Sequence, residues 1–202
     1  SRSVRVDKAE RQIKIEDAAY RVLERDGFAK TTMAAIAREA KASHETLYNW
    51  YGDKTGLFRA LVARNAAEVR ETLETALAEA EDPARTLNRL GPQLLALLLS
   101  ERAINLNRAA AADKSGDLGA AIAEQGRDAI VPLIDRVLES ARTAELVAFD
   151  DTGAAAELYV RLLVGDLQIR RVIGRVGPPT PEFCEARGTG AARDLFQLLK
   201  SG

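Results

Sequence analysis

His44, Glu45, Thr46, Tyr48 and Asn49 set an imidazole, a carboxylate, two hydroxyls and an amide within one short stretch, with Trp50 and Tyr51 directly behind. The chain as a whole is only 5 % aromatic, so the crowding asks for a reason. Such groups suit acid–base catalysis or hydrogen bonding to an external polar surface. Catalysis fits poorly. His44 is the only histidine, no Gly-rich phosphate loop appears, and no Ser/His/Asp set can be assembled away from it. A single Cys and a single His also fall short of the about four N or S ligands that tetrahedral zinc takes. The expectation is therefore a protein that is no enzyme, with no metal and no cofactor, whose polar stretch touches something outside the chain.

Elements must hold these groups at the surface. Helical periodicity runs almost everywhere and alternating Val/Ile/Thr strands are absent, which predicts an all-α fold. A first helix is predicted over 10–26, with Ile13, Ala18, Ala19, Val22 and Leu23 toward the core and Gly27 as its stop. A second is predicted over 33–40, capped by Thr32, and a third after Ser43. The three residues "KAS" between them have the spacing of a helix-turn-helix. Ile36, Ala37, Ala40, Ala42, Leu47 and Trp50 form the buried stripe, which leaves His44, Glu45, Tyr48 and Asn49 outside. In such a motif the second helix enters the DNA major groove and its N-terminal residues meet base edges.

A fourth helix is predicted from Asp53 to "EDP", carrying Leu57, Leu61, Val69, Leu73, Leu77 and Ala80 on one face. At roughly 42 Å it would join two domains rigidly. Asp82 and Pro83 then cap and start the next helix. Further helices are predicted over 83–100, 103–112, 118–144, 152–174 and 189–200, with Pro132 kinking or restarting its own and with "DKSGD" and "GRVGPPTPEF" as loops. The boundary expected is 1–53 for a domain carrying the helix-turn-helix and 54–202 for the larger helical domain.

Charge agrees with that division. Residues 1–60 hold 12 Lys/Arg against 9 Asp/Glu, whereas 61–202 hold 17 against 21, so only the first third is drawn toward a polyanion. The longest Leu/Ala run is far below the roughly 18 residues of a membrane span, and a cytoplasmic location with no membrane partner is expected.

The run "TMAAIAREAKASHETLYNWYGDKTGLF" resembles the TetR family of bacterial transcriptional regulators. The matching residues are Thr32, Ile36, Ala37, Ala40, Ser43, Thr46, Leu47, Tyr48, Lys54 and Leu57. Lys41 and Ala42 replace the family's turn Gly and Val, which predicts a non-Gly residue in a left-handed conformation, and Tyr51 replaces a Phe, adding a hydroxyl that needs a partner. The resemblance implies that Thr32, Tyr48 and Lys54 grip phosphates of an operator duplex while Ser43, His44, Glu45, Thr46 and Asn49 face the groove. Helix N-termini favour an anion at Thr32 and Lys54, and Glu45 can accept from a cytosine amino group. "SRSVRVDKAERQIK" would be a flexible basic arm.

The remainder resembles the AefR-like C-terminal domain, through "LLSERAINLNRAAAADKSGDLGAAI" and "AAAELYVRLLVGDLQIRRVIG". That implies a homodimer and a small-molecule effector. Polar residues interrupting apolar helices, Asn105, Arg108, Tyr159 and Gln168, are the candidate ligand contacts. Leu158, Leu162, Gly165, Ile169, Leu195 and Leu199 are the candidate dimer interface. Cys184 stands beside Glu182 and Glu185, which would raise its pKa rather than activate it as a redox sensor. A dimeric repressor released by a largely apolar ligand is the leading reading; a helical carrier of apolar molecules with a vestigial motif is the alternative.

Overall fold

A computed structural model describes residues 2–200, with side chains from Arg5 onward except Val6. All regular structure among these residues is helical. In chain order come α1 (Arg2–Lys30), α2 (Met33–Ala40), α3 (His44–Tyr51), α4 (Lys54–Asn65), α5 (Ala67–Ala78), α6 (Pro83–Leu98), α7 (Glu101–Ala112), α8 (Asp117–Ile122), a π-helical turn (Ala123–Arg127), α9 (Asp128–Thr143), α10 (Thr152–Val164), α11 (Leu167–Val172) and α12 (Pro181–Leu198). No helix among the described residues is long and apolar enough to cross a membrane.

The chain divides into two compact units. The first comprises 1–64 together with 105–125, and the second 65–104 with 126–202. By contacts the first unit is thus wider than residues 1–53. Its core unites Ile15, Ala18, Ala19 and Val22 of α1 with Ile36, Leu47, Leu57, Phe58 and Leu61, and the later segment adds Leu106 and Leu118 to the same cluster. Ile13, expected inside, is 49 % exposed. Nine residues before Val22, at 100° per residue, it points to the opposite side, and Ile15 takes the inward position.

Four boundaries correct the sequence reading. The helix predicted over 152–174 divides at Gly165, whose φ of 50° ends α10 before α11 begins at Leu167. The predicted long helix divides at Ala66, whose ψ of −2° leaves the helical range, and Ala80 ends up in a left-handed conformation beyond α5. The predicted flexible arm is helical from Arg2 and continuous with α1, Ser1 lying outside the described residues. The C-terminal helix begins at Pro181, not 189, with Thr180 accepting from the Phe183 N–H at 3.1 Å. Pro132 sits inside α9, and the change of helical register falls in the π turn before it.

The second unit packs α5, α6, α9, α10 and α12 around Leu73, Leu87, Leu90, Leu95, Ile134, Leu138 and Tyr159. Its tightest crossing is α6 on α12. A Cβ on Gly188 would stand 2.4 Å from the Pro92 nitrogen, and one on Gly91 2.8 Å from the Gly188 Cα. Neither distance admits a side chain, so the glycines are what lets the two backbones touch. The predicted cap at Asp82 is present, accepting from the Ala84 N–H at 3.1 Å with Pro83 in the first turn.

Candidate nucleic-acid interface

Within the first unit, α2, α3 and α4 each start from a side-chain cap. Thr32 accepts from the Ala35 N–H at 3.1 Å and Ser43 from the Thr46 N–H at 3.1 Å, while Asp53 accepts from the Gly56 N–H at 2.7 Å. Ser43 and Thr46 also share a hydroxyl–hydroxyl bond of 2.9 Å. One cap satisfies only one of a helix's free N–H groups, so each first turn keeps donors and a positive dipole end for an anion.

The turn between α2 and α3 is made by Lys41 at φ 53° and ψ 41°, the left-handed conformation expected of the residue that stands where Gly is usual. Its N–H bonds back to the Ala37 and Arg38 carbonyls and closes α2. Leu47 then anchors α3 with no exposed surface, and His44, Glu45, Tyr48 and Asn49 all lie outside, Tyr48 being 51 % exposed. Thr46 is half-buried between them. The structure thus brings the predicted outer residues onto one exposed face.

Lys54 is less free than its position suggests. Its ammonium donates to the Phe28 carbonyl at 2.8 Å and lies 4.1 Å from the centre of the Phe28 ring. It holds the segment that follows Gly27, whose φ of 74° breaks α1 where the helix stop was predicted. Tyr51 packs edge-on to Trp50, and its hydroxyl finds no hydrogen-bond partner among the described residues. Burial first, and the Glu16 carboxylate second, push that hydroxyl up to about 12. Glu16, itself buried, pairs with Arg64 at 3.2 Å.

Two features had no reading in the sequence. Lys8 lies 5.5 Å from the Trp50 ring centre, so the helical N-terminal extension touches α3. A Cβ on Gly56 would fall 2.1 Å from the Tyr51 carbonyl oxygen, so only glycine lets α4 begin this close behind α3. The Gly in "DKTGLF", inside the first turn of a predicted helix, was the available signal.

The candidate ligand residues are divided between the two units. Asn105 and Arg108 belong to the first unit, Tyr159 and Gln168 to the second. Tyr159 is fully buried with its hydroxyl donating to the Leu87 carbonyl at 3.5 Å, and burial raises its pKa well above the ordinary value. Gln168 donates from Nε2 to the Leu98 carbonyl at 2.9 Å, closing the end of α6. Both side chains serve the unit's own backbone. Of the candidate dimer residues, Leu195 is buried in the chain's own core, which removes it from any surface. Leu158, Leu162 and Leu199 are half-buried against that core, Gly165 is exposed, and Ile169 is 57 % exposed. Burial alone raises the Cys184 pKa, where neighbouring carboxylates were the expected cause.

Comparison with known proteins agrees with this geometry. Residues 15–61 match the model of bacterial regulatory proteins of the tetR family, and residues 85–196 that of the AefR-like transcriptional repressor C-terminal domain. A search among curated proteins found no match. A TetR-family transcriptional regulator from Mesorhizobium loti superposes with a TM-score of 0.74 at 24 % identity, covering 96 % of this chain and 98 % of that one. A TetR regulator from Agrobacterium tumefaciens gives 0.70 at 26 %, covering 94 % of each. The regulator FadR from Bacillus subtilis, solved with stearoyl-CoA, gives 0.66 at 16 %, covering 94 % and 98 %. On the capped helix-turn-helix and the two family matches, the chain belongs to the TetR family of bacterial transcriptional regulators, with an AefR-like C-terminal domain.

Proposed function

We propose that the chain acts as a homodimeric repressor in the cytoplasm, binding a two-fold operator through α3 and leaving it when a small, largely apolar ligand occupies the second unit. The observation that carries this reading is the outer face of α3, where His44, Glu45, Tyr48 and Asn49 are exposed above a fully buried Leu47. Thr32, Tyr48 and Lys54 would hold phosphates, with Ser43 and Thr46 at the groove beside the base-reading pair His44 and Glu45. Two such helices read one palindrome when they stand about 34–36 Å apart or a multiple of that. Exposed Ile169 and half-buried Leu158, Leu162 and Leu199 supply apolar surface for the dimer.

The test is a footprint on duplex DNA flanking the protein's own gene, repeated across salt. A protected palindrome with affinity falling steeply in salt is expected; no protection at low salt would leave the carrier reading. A ligand found by thermal shift should then bind more weakly in the presence of operator, by the same factor that it weakens operator binding. Equal ligand affinities with and without operator would end the induction model.

A further inference from the structure

We propose that a groove on the second unit is a binding site for an apolar organic cation; the proposal rests on the reading that a ligand acts on this unit. The groove, open to solvent, offers about 680 Å³ among α5, the end of α6, the start of α7, α11 and the start of α12, a size that suits a drug-like molecule. Its floor is apolar, with buried Val69, Leu99 and Cys184 and half-buried Leu97.

Charge decides the ligand class. Glu68, Glu101 and Glu185 line the groove and are exposed, and no hydrogen bond or ion pair engages their side chains among the described residues. The cation in the lining, Arg171, donates from Nε to the Leu99 carbonyl at 2.8 Å and so is drawn to the backbone. Glu68 and Glu101 sit in the first turns of α5 and α7 and offset those positive helix ends, and with Glu185 the carboxylates outnumber the one guanidinium, so the rim disfavours an anionic headgroup, while the apolar floor gives no return for a small hydrated metal ion. An aromatic or alkyl body bearing one diffuse positive charge satisfies both surfaces: the body covers the floor, and the charge meets the rim without a large desolvation cost.

Tetraphenylphosphonium and tetraphenylborate have nearly the same shape and opposite charge, which isolates the effect of charge. Titrated calorimetrically into the full chain without DNA, the cation should bind on the order of tenfold or more tightly than the anion at low salt, and the preference should shrink as salt is added. The combined Glu68→Gln, Glu101→Gln and Glu185→Gln variant, all at exposed positions, should keep one cooperative unfolding transition, its midpoint lowered slightly by the loss of two first-turn carboxylates, and lose the preference. Ala96→Trp, at the exposed edge of the groove, should block both probes. Equal affinity for the two ions, a preference that survives the triple substitution, or undiminished binding to Ala96→Trp would each overturn the proposal. Operator affinity, measured separately with the cation bound, reports on the induction model, whereas the titration alone decides whether the groove binds the cation.

Discussion

An ammonium has three N–H donors, and at Lys54 the Phe28 carbonyl takes one of them, so a phosphate oxygen can still be met by another. Lys54→Ala should therefore do two things: lower the unfolding midpoint, and reduce the slope of log affinity against log salt by about one. A variant with the wild-type salt slope would leave Lys54 a purely structural residue. His44→Ala and Glu45→Ala lose no side-chain hydrogen bond or ion pair among the described residues and should change sequence preference instead, by about 1–3 kcal/mol for each good base contact, as read from a panel of operator variants. Asp135 offers a different residue-scale test. Its Oδ1 has no hydrogen-bond partner among the described residues, and burial, then Glu139 and Asp151, raise its pKa above the ordinary value. A carboxyl with a raised folded pKa favours folding only while protonated, and that contribution is lost as pH rises through the folded pKa. Asp135→Asn should thus stabilise the protein at neutral pH, with the gain vanishing near and below about pH 4 in chemical denaturation.

Among the elements, glycine has opposite meanings in different places. Gly27 at φ 74° ends a helix, and that role was legible because the apolar period stops there. Gly188 lies inside α12 and is there because Pro92 presses against it, which no local pattern announces; the helix predicted over 189–200 starts just after it, while the structure carries the helix back to Pro181. Gly188→Ala must displace backbone and should cost about 1–3 kcal/mol or more in urea denaturation. Gly190→Ala meets nothing closer than the Arg193 side chain at 3.5 Å and should be neutral or slightly stabilising, since alanine is the better helix former. Equal effects at the two positions would mean that the α6–α12 crossing is not tight. The caps at Thr32, Ser43 and Asp82 were legible because capping is local chemistry. The break at Ala66 was not: neither Gly nor Pro marks it, and the apolar residues of α4 and α5 continue one period across it. The helical N-terminal extension escaped for the opposite reason, since its support is Trp50, distant in sequence.

For the molecule as a whole, the DNA-facing unit is assembled from two stretches of chain. The tetR-family match ends at residue 61, yet Leu106 and Leu118, both inside the AefR-like match, are buried in the same core as Leu47 and Phe58. Arg59 and Glu124 add an ion pair of 3.0 Å between the two stretches. A boundary drawn from motifs alone misses this, because the motif ends where the recognition chemistry ends, whereas the core ends where apolar surface is covered. Segment 105–125 is therefore part of the core that holds α3 in place, and a change in it reaches the exposed face of α3 through packing within one unit. Leu118, with no exposed surface, gives the test. Leu118→Ala should cost about 2–5 kcal/mol and weaken operator binding, although the residue is remote from the motif in sequence. A fragment of residues 1–64, with the core left open where Leu106 and Leu118 belong, should show no cooperative urea transition at the midpoint of the full chain's first unit. If that fragment instead unfolds cooperatively at the same midpoint and Leu118→Ala binds operator normally, the later segment is an attachment to the DNA-binding unit and not part of its core.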